Sequence, residues 1–258
     1  MTRAITYLVL AFILLPGVVL ILTSFTEARF VSFPPEGFTF KWYVLAAQKP
    51  EFIASLKLSV IIASVVAAAS TVLGTATSFL LRSLSPGLQA PLQALVMSPL
   101  VLPTVVIGIS MIQFFTLIGL VASPVAVVIG HVIVTTPYVV RLVSDSLSAL
   151  PRNLEWAGSS LGAPDWRVLV LVILPNIKVG LIGGGLFAFI MSFENVTLSA
   201  FLATPGLTTL PVLIFGYSDQ ALEPWLVAVC SVTVLLTTAL VVLLERTIGL
   251  QRVFSAKG

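Results

Sequence analysis

The spacing of formal charges constrains this chain more than any other feature. Residues 4–26, 58–81, 83–140 and 224–244 carry none, giving uncharged runs of 23, 24, 58 and 21 residues. Between Lys178 and Asp219 the one formal charge is Glu194. A helix needs roughly 20 apolar residues to cross the hydrocarbon of a bilayer. Each shorter run is therefore long enough for one crossing, and the long run for two. Gly119 to Pro124 divides the long run, because Gly and Pro in a short polar stretch favour a turn. Six spans are expected, near 4–24, 56–82, 89–118, 124–147, 177–202 and 224–245.

Composition agrees. The 258 residues are 58% hydrophobic and 9% charged, against about 25% charged in a soluble domain. Too few polar side chains remain to cover a water-exposed surface, so an all-α, polytopic membrane protein with lipid as its main partner is expected. An ordinary nucleic-acid binder is excluded. The single cysteine, Cys230, excludes an internal disulfide framework and a cysteine-based metal cluster. Residues 1–24 could be read as a signal peptide, but no small-residue cleavage site follows and the apolar run is as long as a span. A retained first helix is the expectation.

Orientation follows from the Lys/Arg bias between the two sides. With the N-terminus inside, the inner side holds Arg3, Arg82, Arg141, Arg152, Arg167, Lys178, Arg246, Arg252 and Lys257, nine in all. The outer side holds Arg29, Lys41, Lys49 and Lys57, which is four. Both termini are expected to be cytoplasmic. Residues 25–55 then form an outer segment, and 148–176 the longest inner loop.

That inner loop holds the most information. Pro151 suits the first turn of a helix, and Glu155 lies within reach of its positive end. Gly162-Ala163 ends the helix, and Pro164 with Asp165 starts another, so two short helices bent at Gly162 are expected. Ala157, Gly158, Ser159, Ser160, Gly162 and Ala163 leave one face low, open to close approach by another backbone. Trp156 and Trp166 supply the large contact area typical of interface anchors. On these grounds alone, two readings stay open: docking of a partner protein, or a helix lying on lipid headgroups with its tryptophans as anchors.

The same residues resemble a known family. Leu161-Gly162-Ala163 and the closing Ile173-Leu174-Pro175 are similar to the EAA loop of ABC importer permeases, the inner-membrane subunits of binding-protein-dependent transport systems. In this register Ala157-Gly158 fall on the family's two alanines. Trp156 stands where the usual Glu sits, and Glu155 lies one residue earlier. The resemblance implies a type I permease fold with a cytoplasmic coupling helix that enters a cleft of an ABC ATPase dimer. It assigns that ATPase coupling to Glu155, Trp156, Ala157, Gly158, Gly162 and Ala163. Ser192-Phe193-Glu194-Asn195, Thr209-Leu210-Pro211-Val212 and Pro224 resemble the polyamine-type branch, which carries putrescine, spermidine and other small solutes. That branch implies a heterodimer with a second, different permease chain, an extracytoplasmic solute-binding protein and a bacterial inner membrane. No G-x-x-x-x-G-K-[ST] is present, so no cofactor is expected in this chain, and ATP with Mg is expected on the partner ATPase.

Inside the spans, an ionisable group is costly and is usually turned towards the bundle interior or a wet path. Glu194 lies about sixteen residues beyond Lys178, roughly 24 Å along a helix. It is a candidate lining residue of the translocation path together with Asn195; the alternative is a structural role, bonding neighbouring helix groups. Gly180 and Gly184 have the small-xxx-small spacing of close helix packing. Pro99, Pro103 and Pro137 are expected to bend their helices. His131 has no second ligand at metal spacing and is expected to be a hydrogen-bonded structural residue, with no metal site. The alternative function is an ion-gradient-driven secondary transporter or channel, which should show paired repeats with broken midplane helices; no clear halves are visible. An enzyme is not expected, since Glu194 has no catalytic partner in the spans.

Overall fold

A computed structural model describes residues 2–121, 123–203, 206–219 and 223–248. Among them the regular structure is helical, as lipid demands, since a helix satisfies its backbone polar groups internally. In chain order the helices are α1 (Thr2–Thr23), α2 (Lys41–Gln48), α3 (Pro50–Ser83), α4 (Pro86–Met97), α5 (Thr104–Leu117), α6 (Pro124–Ala149), α7 (Arg152–Ser160), α8 (Asp165–Val168), α9 (Leu174–Asn176), α10 (Lys178–Phe193), α11 (Val196–Leu202), α12 (Leu210–Ser218) and α13 (Pro224–Ile248). A 3-10 turn over Ser98–Leu100 extends α4, and a π turn over Leu169–Ile173 joins α8 to α9.

Among the described residues, four helices can cross a membrane by length and apolar composition: α1, α3, α6 and α13. The count rises to six if each of two bent pairs forms one span. The first pair stands where one span, 89–118, bent at Pro99 and Pro103, is expected. Pro86–Leu100 and Thr104–Leu117 meet at 97°, and Pro103, which has no N–H to donate, stands at the N-cap of α5. The second pair changes the expected boundary of 177–202. The second short helix expected from Pro164 is present and runs on through residues 165–176 up to the span itself, and Asp165–Asn176 meets Lys178–Phe193 at 71°. Pro175 cannot donate to the carbonyl four residues back, and the widened π turn lies just ahead of it. The same span also breaks at Glu194–Asn195, between α10 and α11. Pro137, by contrast, sits within the unbroken α6.

The chain divides into two compact units, Met1–Leu58 with Thr209–Leu243, and Ser59–Thr208 with Leu244–Gly258. In the first, the Tyr43 hydroxyl lies 2.6 Å from Ser24 Oγ and 2.8 Å from Ser231 Oγ, tying the end of α1, α2 and α13 together. The segment between α1 and α2 is held by the Trp42 indole N–H donating to the Thr26 carbonyl at 2.7 Å and by Phe25 stacked on Phe38 at 4.8 Å.

In the second unit α6 is the central helix. Its Val139, Val143 and Leu147 share a core with Val168, Ile173, Ile177 and Ala188. Small residues set how closely the neighbours approach. A Cβ on Gly180 would meet the Leu142 carbonyl oxygen at 2.7 Å, and one on Gly184 would meet Val139 Cα at 3.1 Å. The small-xxx-small pair therefore seats α10 against α6 of the same chain. On α3, Gly74 lies against Val139, Ser70 Oγ is 2.8 Å from Thr135 Oγ1, and Ser78 Oγ donates to the Val140 carbonyl at 3.2 Å.

Candidate functional site

The inner loop folds as a tight helical hairpin. Helix α7 ends at Ser160, and the chain reverses through Gly162 at φ +76, a left-handed conformation that favours glycine. The Leu161 N–H donates to the Ala157 carbonyl and the Ala163 N–H to the Gly158 carbonyl, both at 3.2 Å, so the last carbonyls of α7 are satisfied by the C-terminal wrap common at helix ends. Pro164 then caps α8, with Asp165 in its first turn, where a carboxylate complements the helix dipole.

Within this hairpin the small residues differ in use. A Cβ on Gly158 would meet Val168 Cγ2 at 3.0 Å, so this glycine lets α7 settle onto α8. Gly162 has open space around it, and backbone conformation alone asks for glycine there. Ala157 is exposed and Ala163 half-buried. Trp156 and Trp166 are 68% and 61% exposed, and Arg167 stands 5.3 Å over the Trp166 ring. Leu161, at the turn, is 88% exposed. In sequence it stands out only as part of the L-G-A core, yet it is the most exposed large apolar side chain of the hairpin. The Glu155 side chain lies outside the described residues, as do Arg252 and Lys257.

Glu194 and Asn195 occupy the α10–α11 break but meet different surroundings. The Glu194 N–H closes α10 on the Ile190 carbonyl at 2.9 Å, and its side chain is exposed. Asn195 is the N-cap of α11, its Oδ1 accepting from the Leu198 N–H at 2.8 Å. Close by, buried His131 of α6 reaches both sides of the break. Its Nδ1 lies 2.9 Å from Ser192 Oγ and its Nε2 3.1 Å from Ser199 Oγ. The structural role expected of His131 is thus observed.

A polar cavity of about 430 Å³, which the sequence did not reveal, lies between the ends of α3, α4 and α6. Ser78, Arg82, Gln89, Gln93, Ser144 and Asp145 line it, drawn from three separate helices.

Comparison with known proteins places this geometry in a family. Residues 72–249 match the binding-protein-dependent transport system inner membrane component family, and the chain belongs to it. It is 30% identical over 224 residues to the putrescine transport system permease protein PotI of Escherichia coli strain K12, covering 83% of this chain and 78% of that one. It is 26% identical over 242 residues to the spermidine/putrescine transport system permease protein PotC of Haemophilus influenzae, with 93% of each chain covered. A crystal structure of a bacterial ABC transporter for import of the acidic polysaccharide alginate superposes with a TM-score of 0.73 at 12% identity, over 95% of this chain and 94% of that one. The fold is that of a type I ABC importer permease. The chain is a multi-pass inner-membrane permease, and its relatives are transport subunits.

Proposed function

We propose that this chain is one of two permease subunits of an ATP-driven ABC importer, paired with a different permease chain. An ABC ATPase dimer, which binds the ATP and Mg, docks on residues 152–163 inside, and a solute-binding protein docks outside. Both termini are cytoplasmic, in keeping with the Lys/Arg bias. The solute is small and cationic, a polyamine such as putrescine or spermidine, as the names of the relatives suggest.

The observation that carries this reading is the exposed apolar tip of the α7–Gly162–α8 hairpin. Leu161, Trp156 and Trp166 stand out from a short, well-capped element. Burying such a side chain in a partner's cleft contributes roughly 1.5–3 kcal/mol each. A push on α7 passes to Val168 through the Gly158 contact, along α8 and α9 to α10, whose Gly180 and Gly184 rest on α6. ATP-driven closure of the ATPases thereby tilts α10 against α6 and moves the break carrying Glu194 and Asn195. Glu194 attracts the cationic solute in the path, and the polar cavity at the ends of α3, α4 and α6 is a wet exit.

The test is uptake of labelled putrescine by the whole complex in vesicles. Gly162→Arg is expected to abolish ATP-driven uptake while the purified chain melts within a few degrees of the parent. Normal uptake by that variant would overturn docking at the hairpin.

A further inference from the structure

The first compact unit contains a box of aromatic rings that already holds an ammonium group. Phe52 near the start of α3, Tyr217 near the end of α12 and Trp225 in the first turn of α13 meet edge to face or stacked. The Tyr217 and Phe52 centroids lie 5.0 and 5.1 Å from that of Trp225. Phe52 and Trp225 are almost fully buried. Lys49, at the junction of α2 and α3, places its Nζ 4.4 Å from the Trp225 ring centroid and 5.9 Å from that of Tyr217.

Two carboxylates orient the rings. The Tyr217 hydroxyl donates to Glu51 Oε1 at 3.4 Å, and the Trp225 indole N–H donates to Glu223. Both carboxylates are exposed, and each has lone pairs beyond the one its aromatic donor uses. An indole face with electron-rich neighbours is the general means by which proteins hold organic cations.

We propose that this box is a binding site for primary ammonium groups, occupied in the resting chain by the tethered Lys49 ammonium and taken over by an ammonium-bearing solute. The inference rests on the importer reading above, which puts this box outside. The exchange replaces one ammonium by another, so the cation–ring attraction is conserved. The tether gives Lys49 an effective concentration in the millimolar range. A diamine offsets that advantage with its second ammonium, which reaches the free lone pairs of Glu51 or Glu223. A monoamine cannot. Lys49 therefore acts as a stand-in that keeps the buried rings covered and sets a threshold favouring diamines.

The experiment uses the full chain in lipid nanodiscs. Binding of labelled 1,4-diaminobutane is measured by equilibrium dialysis, with Trp225 emission followed in a Trp42→Phe, Trp156→Phe, Trp166→Phe background and 1-butylamine as the monoamine. Lys49→Met is expected to tighten diamine binding about tenfold, the weight of one lost competing cation–ring contact. Lys57→Met, which removes the same charge from an exposed position, leaves it unchanged. Glu51→Gln with Glu223→Gln weakens it and narrows the diamine–monoamine difference. Equal effects of Lys49→Met and Lys57→Met, or no Lys49-dependent binding at all, overturn the site. The assay needs no ATPase. A chain that co-purifies with an ATPase yet fails this assay loses the box and keeps the importer reading. A chain that passes it without any ATPase keeps the box and loses that reading.

Discussion

His131 Nδ1 lies 2.9 Å from Ser192 Oγ, joining α6 to the last turn of α10 across 61 residues of sequence. The other ring nitrogen reaches Ser199 on α11, so one imidazole holds both sides of the break at Glu194–Asn195. All three side chains are buried. His131→Leu removes both bonds and leaves two buried hydroxyls without their imidazole partner, at a cost of about 1–3 kcal/mol. Thermal unfolding in detergent should show that loss, with Ser192→Ala and Ser199→Ala each costing less than His131→Leu. Equal stability of His131→Leu and the parent would contradict the clamp.

The glycines of α10 are predicted to differ sharply although three of them are contiguous. Gly180→Ala and Gly184→Ala press on backbone atoms of α6 and should destabilise by roughly 1–3 kcal/mol. The nearest atom to a Cβ on Gly183 is Leu142 Cδ1 at 3.8 Å, an ordinary contact. Gly183→Ala should therefore be neutral or stabilising by up to about 1 kcal/mol. Comparison of the three melting temperatures checks this ordering.

These contacts show what the chain reveals locally and what it does not. The crossings α1, α3, α6 and α13 are visible because charges are absent for about 20 residues or more. The hairpin of α7 and α8 is visible because Pro151, Gly162 and Pro164 punctuate it at fixed offsets. The 97° bend near Pro103 is legible only in part, because Pro99, Pro103 and Pro137 all read as bends, yet Pro137 lies in an equally apolar stretch and leaves α6 unbroken. The Ser192 and Ser199 partners of His131 are distant in sequence, so no local pattern announces them. The polar cavity gathers side chains from α3, α4 and α6, none of which forms a motif by itself.

At the α10–α11 break the two candidate path residues should separate by phenotype. Asn195→Ala removes the cap of α11 and should cost about 1 kcal/mol of stability. Glu194→Gln should leave stability within about 0.5 kcal/mol, as expected of an exposed side chain, and lower uptake of cationic solutes more than ATP hydrolysis. Paired melting and transport assays read both effects. Unchanged uptake by Glu194→Gln would place that carboxylate among structural groups.

In the hairpin, Gly162→Ala has room for its methyl group but meets a left-handed backbone, a strain of roughly 1–2 kcal/mol. Trp156→Ala and Trp166→Ala involve exposed rings and should not lower the melting temperature of the isolated chain. Under the coupling account they reduce solute-stimulated ATP hydrolysis at least several-fold in the complex. Full stimulation by the double variant would leave the tryptophans as lipid anchors.

The most direct test of the central claim is gentle purification of this chain from its native host, with mass spectrometry of everything that accompanies it. A P-loop ATPase in two copies and a second, different six-span permease are expected to come with it. A chain arriving in a stable symmetric assembly of its own copies, with no ATPase, would contradict it and point to a gradient-driven carrier.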